Sequence, residues 1–508
     1  MARPRSAAQA TPMAPILGKP VSRRSLLRTA GAITGALGTL ALLQDGAIVP
    51  QRLALADPAK PFPDVQFDLS PYMPPAVTYD GIPVGMPPVH TVFLTATLSR
   101  IPSSADQSRM ESALRTIEAN YPYAPGGVFT HVSYSDNYFA RLPASLVDAT
   151  MPRTLSGDQP VLKRAVASPT DVAPGSHVLE LRRPEFTVPL RLENNDVLFT
   201  IRGDDSSYVA DVVSWLSGSN QLVGRPIASP RFDAGLRITS SRAMFVQIGL
   251  PRYIAANAGL SFASFVNPHS PMWMGFADQQ VDASAPAQNV TFVGGGGIHL
   301  STATAGSYFD NGAVQHLSHD LLDLEQFYVD GRDPDEGPDT REPFDERIQY
   351  MFHSPAPVEQ NPNDPFYNGG GPTNLKMLGA VVRNEFHGAG YAEQSARQLQ
   401  RMGHLSTLQR SGRTADGRPI HQRIDGPGFD AMDTTTGRDT AKLQFSGFFP
   451  SADFFATMRS NQSAVDLLEK YDLDEEDHGL ERFITATRRQ NFLIPPRRHR
   501  AFPLVEFL

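Results

Sequence analysis

No cysteine occurs among the 508 residues. That excludes disulfides, thiol catalysis, iron–sulfur clusters and thiolate-ligated haem, so any metal must be held by His, carboxylate, Met or Tyr. Long apolar runs are missing too: the longest stretch of small and apolar residues, Thr29 to Leu43, is about 15 residues, where a membrane-spanning helix takes about 20. Basic residues are not in excess. There are 45 against 53 acidic, a net charge of −8, which argues against nucleic acid as the main partner. Hydrophobic residues make up only 41%, beside 44 Pro and 40 Gly, so long loops are expected. The length itself exceeds what one core usually organises and suggests two or three domains.

The first fifty-six residues read as an address. Ser22-Arg23-Arg24-Ser25-Leu26-Leu27-Arg28 is a twin-arginine motif, the apolar stretch follows, and Ala54-Leu55-Ala56 fits a small-x-small cleavage site. A cleaved export signal is therefore expected, with no stable membrane insertion after cleavage and a periplasmic or extracellular destination. Because this route carries folded proteins, a cofactor can be loaded before export.

Residues 57–88, rich in Pro and Asp, read as an extended arm. Thr91 to Leu98 is β-branched and apolar, hence a buried strand. Arg109 to Asn120 has helical spacing, with Met110, Leu114 and Ile117 on one face. Strands are expected at Val128–Tyr134, Asp196–Arg202 and Met244–Ile248, with a helix after Ser206-Ser207. Strand, helix, strand, strand, helix, strand is the split βαβ, ferredoxin-like order. The second half repeats it loosely: a strand at Gly297–Thr302, a helix from Asp320 to Tyr328, an insertion at about 329–375, a strand at Leu443–Phe449, a helix from Ser451 to Tyr471 and a last strand at Gln490–Ile494. The expected fold class is α+β: two ferredoxin-like halves, 89–270 and 271–508, with antiparallel sheets forming a dimeric α/β-barrel-like body.

Several blocks then occur in a telling order: Asp196 to Asp205, Met274-Gly275-Phe276-Ala277-Asp278-Gln279, Gly296-Gly297-Ile298-His299-Leu300, His316 to Glu325, His421-Gln-Arg-Ile-Asp-Gly-Pro427, and Leu443 to Phe455. Taken together over roughly residues 90–508, they resemble the dye-decolorising peroxidase family of haem proteins. The block around Gly275 looks like the family's glycine-x-x-aspartate-glycine motif, with Gln279 where the family has its last glycine. The block from His421 looks like the segment carrying the proximal haem histidine.

The resemblance implies haem b as cofactor, with His421 as the iron ligand, Asp278 as the base that moves the peroxide proton, Gly275 and Phe276 beside the cofactor, and a cation, for which Arg438 is the nearest candidate, against developing negative charge. The partners implied are hydrogen peroxide and a bulky organic reductant, and a homo-oligomer is left open. His404 and His387 are alternative ligands. The second reading, from a different class, is a non-catalytic relative that carries haem or another apolar ligand; Gln279 is the feature that favours it.

Other features invite plainer readings. His316 and His319, three apart, could face one metal on a helix, but no third ligand lies nearby in the sequence. Gly294 to Gly297 lacks the lysine of a phosphate loop. Asp474 to Asp477 reads as a solvated acidic face. Arg497-Arg498-His499-Arg500 is a basic cluster that could meet haem propionates, a partner or solvent. The export reading has a direct consequence. Replacing Arg23 and Arg24 by lysine should trap the precursor in the cytoplasm in a fractionation experiment, and unchanged mature protein outside the membrane would contradict it.

Overall fold

The computed structural model describes residues 61–79, 82–172, 179, 182–230, 235–268, 270–275, 277–280, 284–329, 381–384, 388–414, 416–477 and 480–508. The twin-arginine segment, Phe276, the insertion at 330–375 and His387 lie outside them. In chain order the elements used below are β1 (His90–Thr97), α1 (Ser104–Asn120), β2 (Phe129–Ser135), β3 (Val197–Gly203), α2 (Ser206–Leu216), β4 (Arg237–Phe245), β5 (Ala277–Gln280), β6 (Ala313–Leu322), α3 (Leu324–Tyr328), β7 (Val381–Asn384), α4 (Tyr391–Leu399), α5 (His404–Leu408), β8 (Gln422–Asp430), β9 (Thr440–Phe449), α6 (Ala452–Ser463), α7 (Val465–Tyr471) and β10 (Ile484–Ile494), with shorter helices and strands between them.

The main sheet runs β8-β9-β6-β10-β2-β3-β1-β4. Within each half the strands lie in the order second, third, first, fourth, and the ladders are antiparallel. This is the split βαβ order, present twice. The halves join where β10 pairs β2 through Phe492 with Ser135 and Leu493 with Tyr134, and where Arg191 and Leu192 of the first half run parallel to Arg488 and Arg489 of β10.

The sheet curls. Strands β6 and β3 are three places apart, which is about 14 Å along a flat sheet. Yet Gln315 on β6 donates to Thr200 on β3 over 3.2 Å and to Ser446 on β9 over 3.0 Å, and accepts from Ser133 on β2 over 2.7 Å. These side chains meet across an interior. The same inward faces carry Phe93, Leu198, Met244, Leu317, Phe448 and Phe492, one buried cluster drawn from six strands of both halves. Opposite faces pack on helices: Val92 and Leu94 share a core with Met110, Leu114 and Ile117 of α1. The body is thus an α+β barrel with helices outside.

At the remaining seam the outer strands β4 and β8 approach without a ladder. Glycine makes this possible: a Cβ at Gly426 would lie 2.7 Å from Val246 Cγ2, and one at Gly428 2.9 Å from the Ala243 carbonyl oxygen. Trp273 Nε1 donates to the Gly428 carbonyl over 3.0 Å and covers the seam.

Local sequence explains most elements. Ser103 caps α1 and Asp106 returns the bond to its backbone, a capping box that starts the helix five residues before the apolar period shows it. Three expectations for the second half are corrected. Its first strand is Ala313–Leu322, not Gly297–Thr302, where glycines at positive φ make turns. Asp320 to Leu322 are strand, and the helix is only Leu324–Tyr328; β6 is buried on both faces, so the alternation that marks a strand is missing. The helix expected from Ser451 to Tyr471 is two, broken at Ala464 with φ 46°.

The segment before β1 is also more than an arm. Val65, Gln66 and Phe67 are buried, Phe67 stacks on Phe448 at 4.2 Å, and Gln66 bonds the backbone of Val132 and Pro495. No helix among the described residues is long and apolar enough to cross a membrane. Because Gly428 faces a backbone oxygen that cannot swing away, Gly428→Val should cost about 1–3 kcal/mol, the usual range for overpacking. Chemical denaturation would check this, and an unchanged midpoint would show that the seam is loose.

Candidate functional site

His421 sits at the last position before β8, at the end of the barrel away from the β8–β9 turn. Its Nδ1 lies 3.1 Å from the Gly412 carbonyl oxygen, to which it donates. Gly412 makes room for the ring. It adopts φ +69°, and a Cβ there would be 2.3 Å from Nδ1. The imidazole is buried, with Phe449 at 6.3 Å in a stacked arrangement and Phe455 and Met458 behind it. Nε2 makes no hydrogen bond among the described residues. Burial first, then the guanidinium groups of Arg423 and Arg413, push this histidine down to about 3. The result is a neutral imidazole, fixed in one tautomer by a carbonyl, with the lone pair of Nε2 uncommitted. That is how a metal-ligating histidine is usually prepared. It fits the requirement of a haem iron for a nitrogen donor, and Arg413 and Arg423 supply positive charge nearby for an anionic cofactor.

The other expected residues are distributed differently. Arg438 lies in the β8–β9 turn, while His421 precedes the first residue of the same hairpin. The nine residues of β8 separate the two ends, about 30 Å at 3.3 Å per residue. Arg438 is exposed and does not face His421, so the expectation that it is the distal cation is corrected on geometry. Gly275 is buried, with φ +88°, near Tyr328 and Asn267, and Trp273 two residues earlier is tied to Gly428, near the turn end of β8. Gly275 therefore does not lie beside the His421 ring.

From there the chain runs back toward the other end. Asp278 is the second residue of β5, in parallel register with Val382 of β7, and Ala285 N–H donates to the His421 carbonyl over 2.8 Å. Asp278 is thus between the two ends in sequence, and its side chain is outside the described set. His404, at the start of α5, shares the field of Arg423 with His421.

Residues singled out for other chemistry find structural partners. His316 and His319 lie on a strand and point to opposite faces. His316 stacks on Phe455 at 3.3 Å and bonds Asn491 and Ser318, whereas His319 turns inward to Gln444. Among the described residues no group of three or more His, Asp or Glu is placed to hold a metal ion. The basic tail is engaged too: Arg497 and Arg500 pair with Glu118, Arg500 also with Glu111, and Arg498 with Asp64 and Asp310.

Residues 88–496 match the model of a family of unknown function, DUF7405. The chain belongs to this family. A search of curated proteins found no match. Among solved structures, the chain is similar to a putative dyp-type peroxidase from Shewanella oneidensis, with 12% identity over 80% of this chain and 92% of that one, at a TM-score of 0.42. It is similar to the encapsulated DyP-type peroxidase from Mycobacterium smegmatis, with 13% identity over 85% and 97%, at 0.41. A Rhodococcus jostii DypB variant in complex with heme gives 12% identity over 81% and 95%, at 0.43.

Buried neutral histidines set the pH dependence of this DUF7405 chain. Burial is the first cause in each: His90 and His404 are pushed down to about 4, His319 and His421 to about 3, and His131 and His316 well below their ordinary range. Burial acts oppositely on Asp320, raised to about 7. As pH falls below about 6.5 the unfolded chain gains protons on these histidines that the fold refuses, while Asp320, Asp430 and Asp136, whose carboxyls burial raises, offset part of that gain. Stability should therefore fall with pH by about 1.4 kcal/mol per pH unit for each net proton. Melting temperatures should drop steeply between pH 7 and pH 5, and a flat profile there would mean that the imidazoles are not buried neutral.

Proposed function

We propose that this chain is an exported haem protein of the peroxidase class, in which His421 holds the cofactor iron. The observation that carries the reading is the prepared imidazole: Nδ1 committed to the Gly412 carbonyl and Nε2 uncommitted, with the Phe449 ring stacked beside it. When bound, haem would supply the redox chemistry that breaks the O–O bond of hydrogen peroxide and passes oxidising equivalents to an organic reductant. The protein's part is to orient and to move a proton. The Gly412 carbonyl keeps the His421 ring from turning and raises its basicity. Arg423 and Arg413 are the candidates for meeting the cofactor's carboxylates. Asp278, on β5, is the candidate base that takes the peroxide proton at a carboxylate oxygen and returns it to the leaving oxygen.

The second reading, a haem or apolar-ligand carrier without peroxidase activity, is favoured by one specific observation. Arg438 stands at the far end of the β8–β9 hairpin, so the negative charge of a reacting peroxide would need another cation. The two readings separate in one experiment. Purified protein titrated with haemin should develop a Soret band that His421→Ala abolishes. Peroxide-dependent dye oxidation should accompany it, and Asp278→Asn should keep the band while slowing oxidation by about 10²–10⁴-fold. A Soret band without peroxide-dependent oxidation would select the carrier. An unchanged band in His421→Ala would reject His421 as the ligand.

A further inference from the structure

A cavity of about 210 Å³ opens beside the β8–β9 turn, at the barrel end away from His421. It is smaller than the roughly 300–1,000 Å³ of drug-sized sites, so its occupant must be small. Its floor is apolar: Phe186, Phe262, Leu321, Leu322 and Leu324 line it and are buried. Its rim is charged, and some of that charge is already spent. Arg183 and Glu185 face each other at 3.7 Å, and Arg183 also forks onto Asp323.

Three groups remain open. Arg438 and Asp439 are consecutive exposed residues of the turn, and their side chains make no hydrogen bond or ion pair among the described residues. The turn itself is held, since Thr436 Oγ1 accepts from Arg438 N–H over 3.3 Å and Thr440 Oγ1 donates to its carbonyl over 3.2 Å. Glu325, on α3, accepts from Ser261 through Oε1 over 2.8 Å and keeps Oε2 for another donor.

We propose that this cavity binds a small zwitterion with an apolar body, of the apolar α-amino acid class. The apolar floor takes the side chain, Arg438 the carboxylate, and Asp439 with Glu325 the ammonium group. Neither simpler ligand uses the whole set. A plain carboxylate would meet two carboxylates with nothing to offer them, and a plain amine would leave Arg438 unanswered and adjacent to its positive charge.

The test uses the full chain and three probes matched in body: L-phenylalanine, 3-phenylpropionate and 2-phenylethylamine, compared by calorimetric titration. L-Phenylalanine should bind saturably and at least about tenfold more tightly than either singly charged probe. Arg438→Met should weaken it about tenfold or more, as the loss of a charged hydrogen bond does. The variant should melt with the wild type, because the side chain it alters is exposed. Equal or tighter binding of 3-phenylpropionate or of 2-phenylethylamine overturns the proposal, as does absence of saturable binding or an Arg438→Met variant that binds normally. Since the cavity and His421 occupy opposite ends of the hairpin, His421→Ala should bind L-phenylalanine unchanged, so the outcome is independent of whether haem binds.

Discussion

Glu193 is the point on which the barrel turns. It lies just before β3 in the first half, and it accepts from Arg242 of β4 and, over 3.0 Å, from Arg488 of β10 in the second half. Arg488 in turn forks onto Asp433, in the β8–β9 turn, over 2.6 and 2.7 Å. One unbroken chain of charges thus crosses from the first half to the second, inside the curl of the sheet. Burial alone would raise the Glu193 carboxyl; Arg242 and Arg488 outweigh it and hold it below its ordinary range. Removing one member would strand its partner in a poor dielectric, a loss of about 3–5 kcal/mol for buried pairs. The backbone ladders between the halves are short: two residue pairs of β10 with β2, and two of β10 with Arg191 and Leu192, which run parallel to it. This network and the Gln315 bridge add directional contacts between the halves to those short ladders, where apolar packing is not directional.

The interior is graded accordingly. Its middle is apolar, around Phe93, Leu317, Phe448 and Phe492. At the end near the β8–β9 turn it is charged, with Arg242, Lys442 and His319 fully buried. Burial pushes Lys442 down to about 8, although Asp430, Asp433 and Asp439 pull it upward, and its ammonium reaches the Met432 carbonyl. The turn is consequently pinned from inside by Asp433 and the Lys442 contact, leaving its outer residues, Arg438 and Asp439, free to face solvent and the cavity.

Which parts of this were legible beforehand follows from how each residue signals its environment. The first three strands of the first half are readable because clear turns bound them, and α1 has a one-sided apolar period; the fourth, expected at Met244–Ile248, is Arg237–Phe245, most of it polar in sequence. β8 was not read as a strand because Gly426, Pro427 and Gly428 look like a breaker. They are tolerated because β8 ends the ladder and pairs only with β9, the place where proline is admitted to a sheet, and the two glycines are what the seam with β4 requires. β6 was misread for the opposite reason: with both faces buried, its Leu and His residues fall by chance at helical spacing. His421 was picked out by resemblance of its block, and no local pattern could have shown that Gly412, nine residues earlier, supplies the carbonyl that orients it. Arg438 is close to His421 in sequence but not in space, because the whole length of β8 lies between them.

That last point has a physical form. A β-hairpin converts sequence separation into distance at one end and contact at the other. His421 and Phe449 flank the open end and stack at 6.3 Å although they are far apart in the chain. His421 and Arg438 are nearer in sequence but lie at opposite ends. Once β8 and β9 are known to pair from Gln422–Phe448 to Asp430–Thr440, any group that is to act with His421 must come from the elements around the open end: the Ser411–Gly412 loop, α5 and α6, or the returning segment that meets the His421 carbonyl at Ala285. Arg438, in the turn at the other end of the hairpin, is not among them.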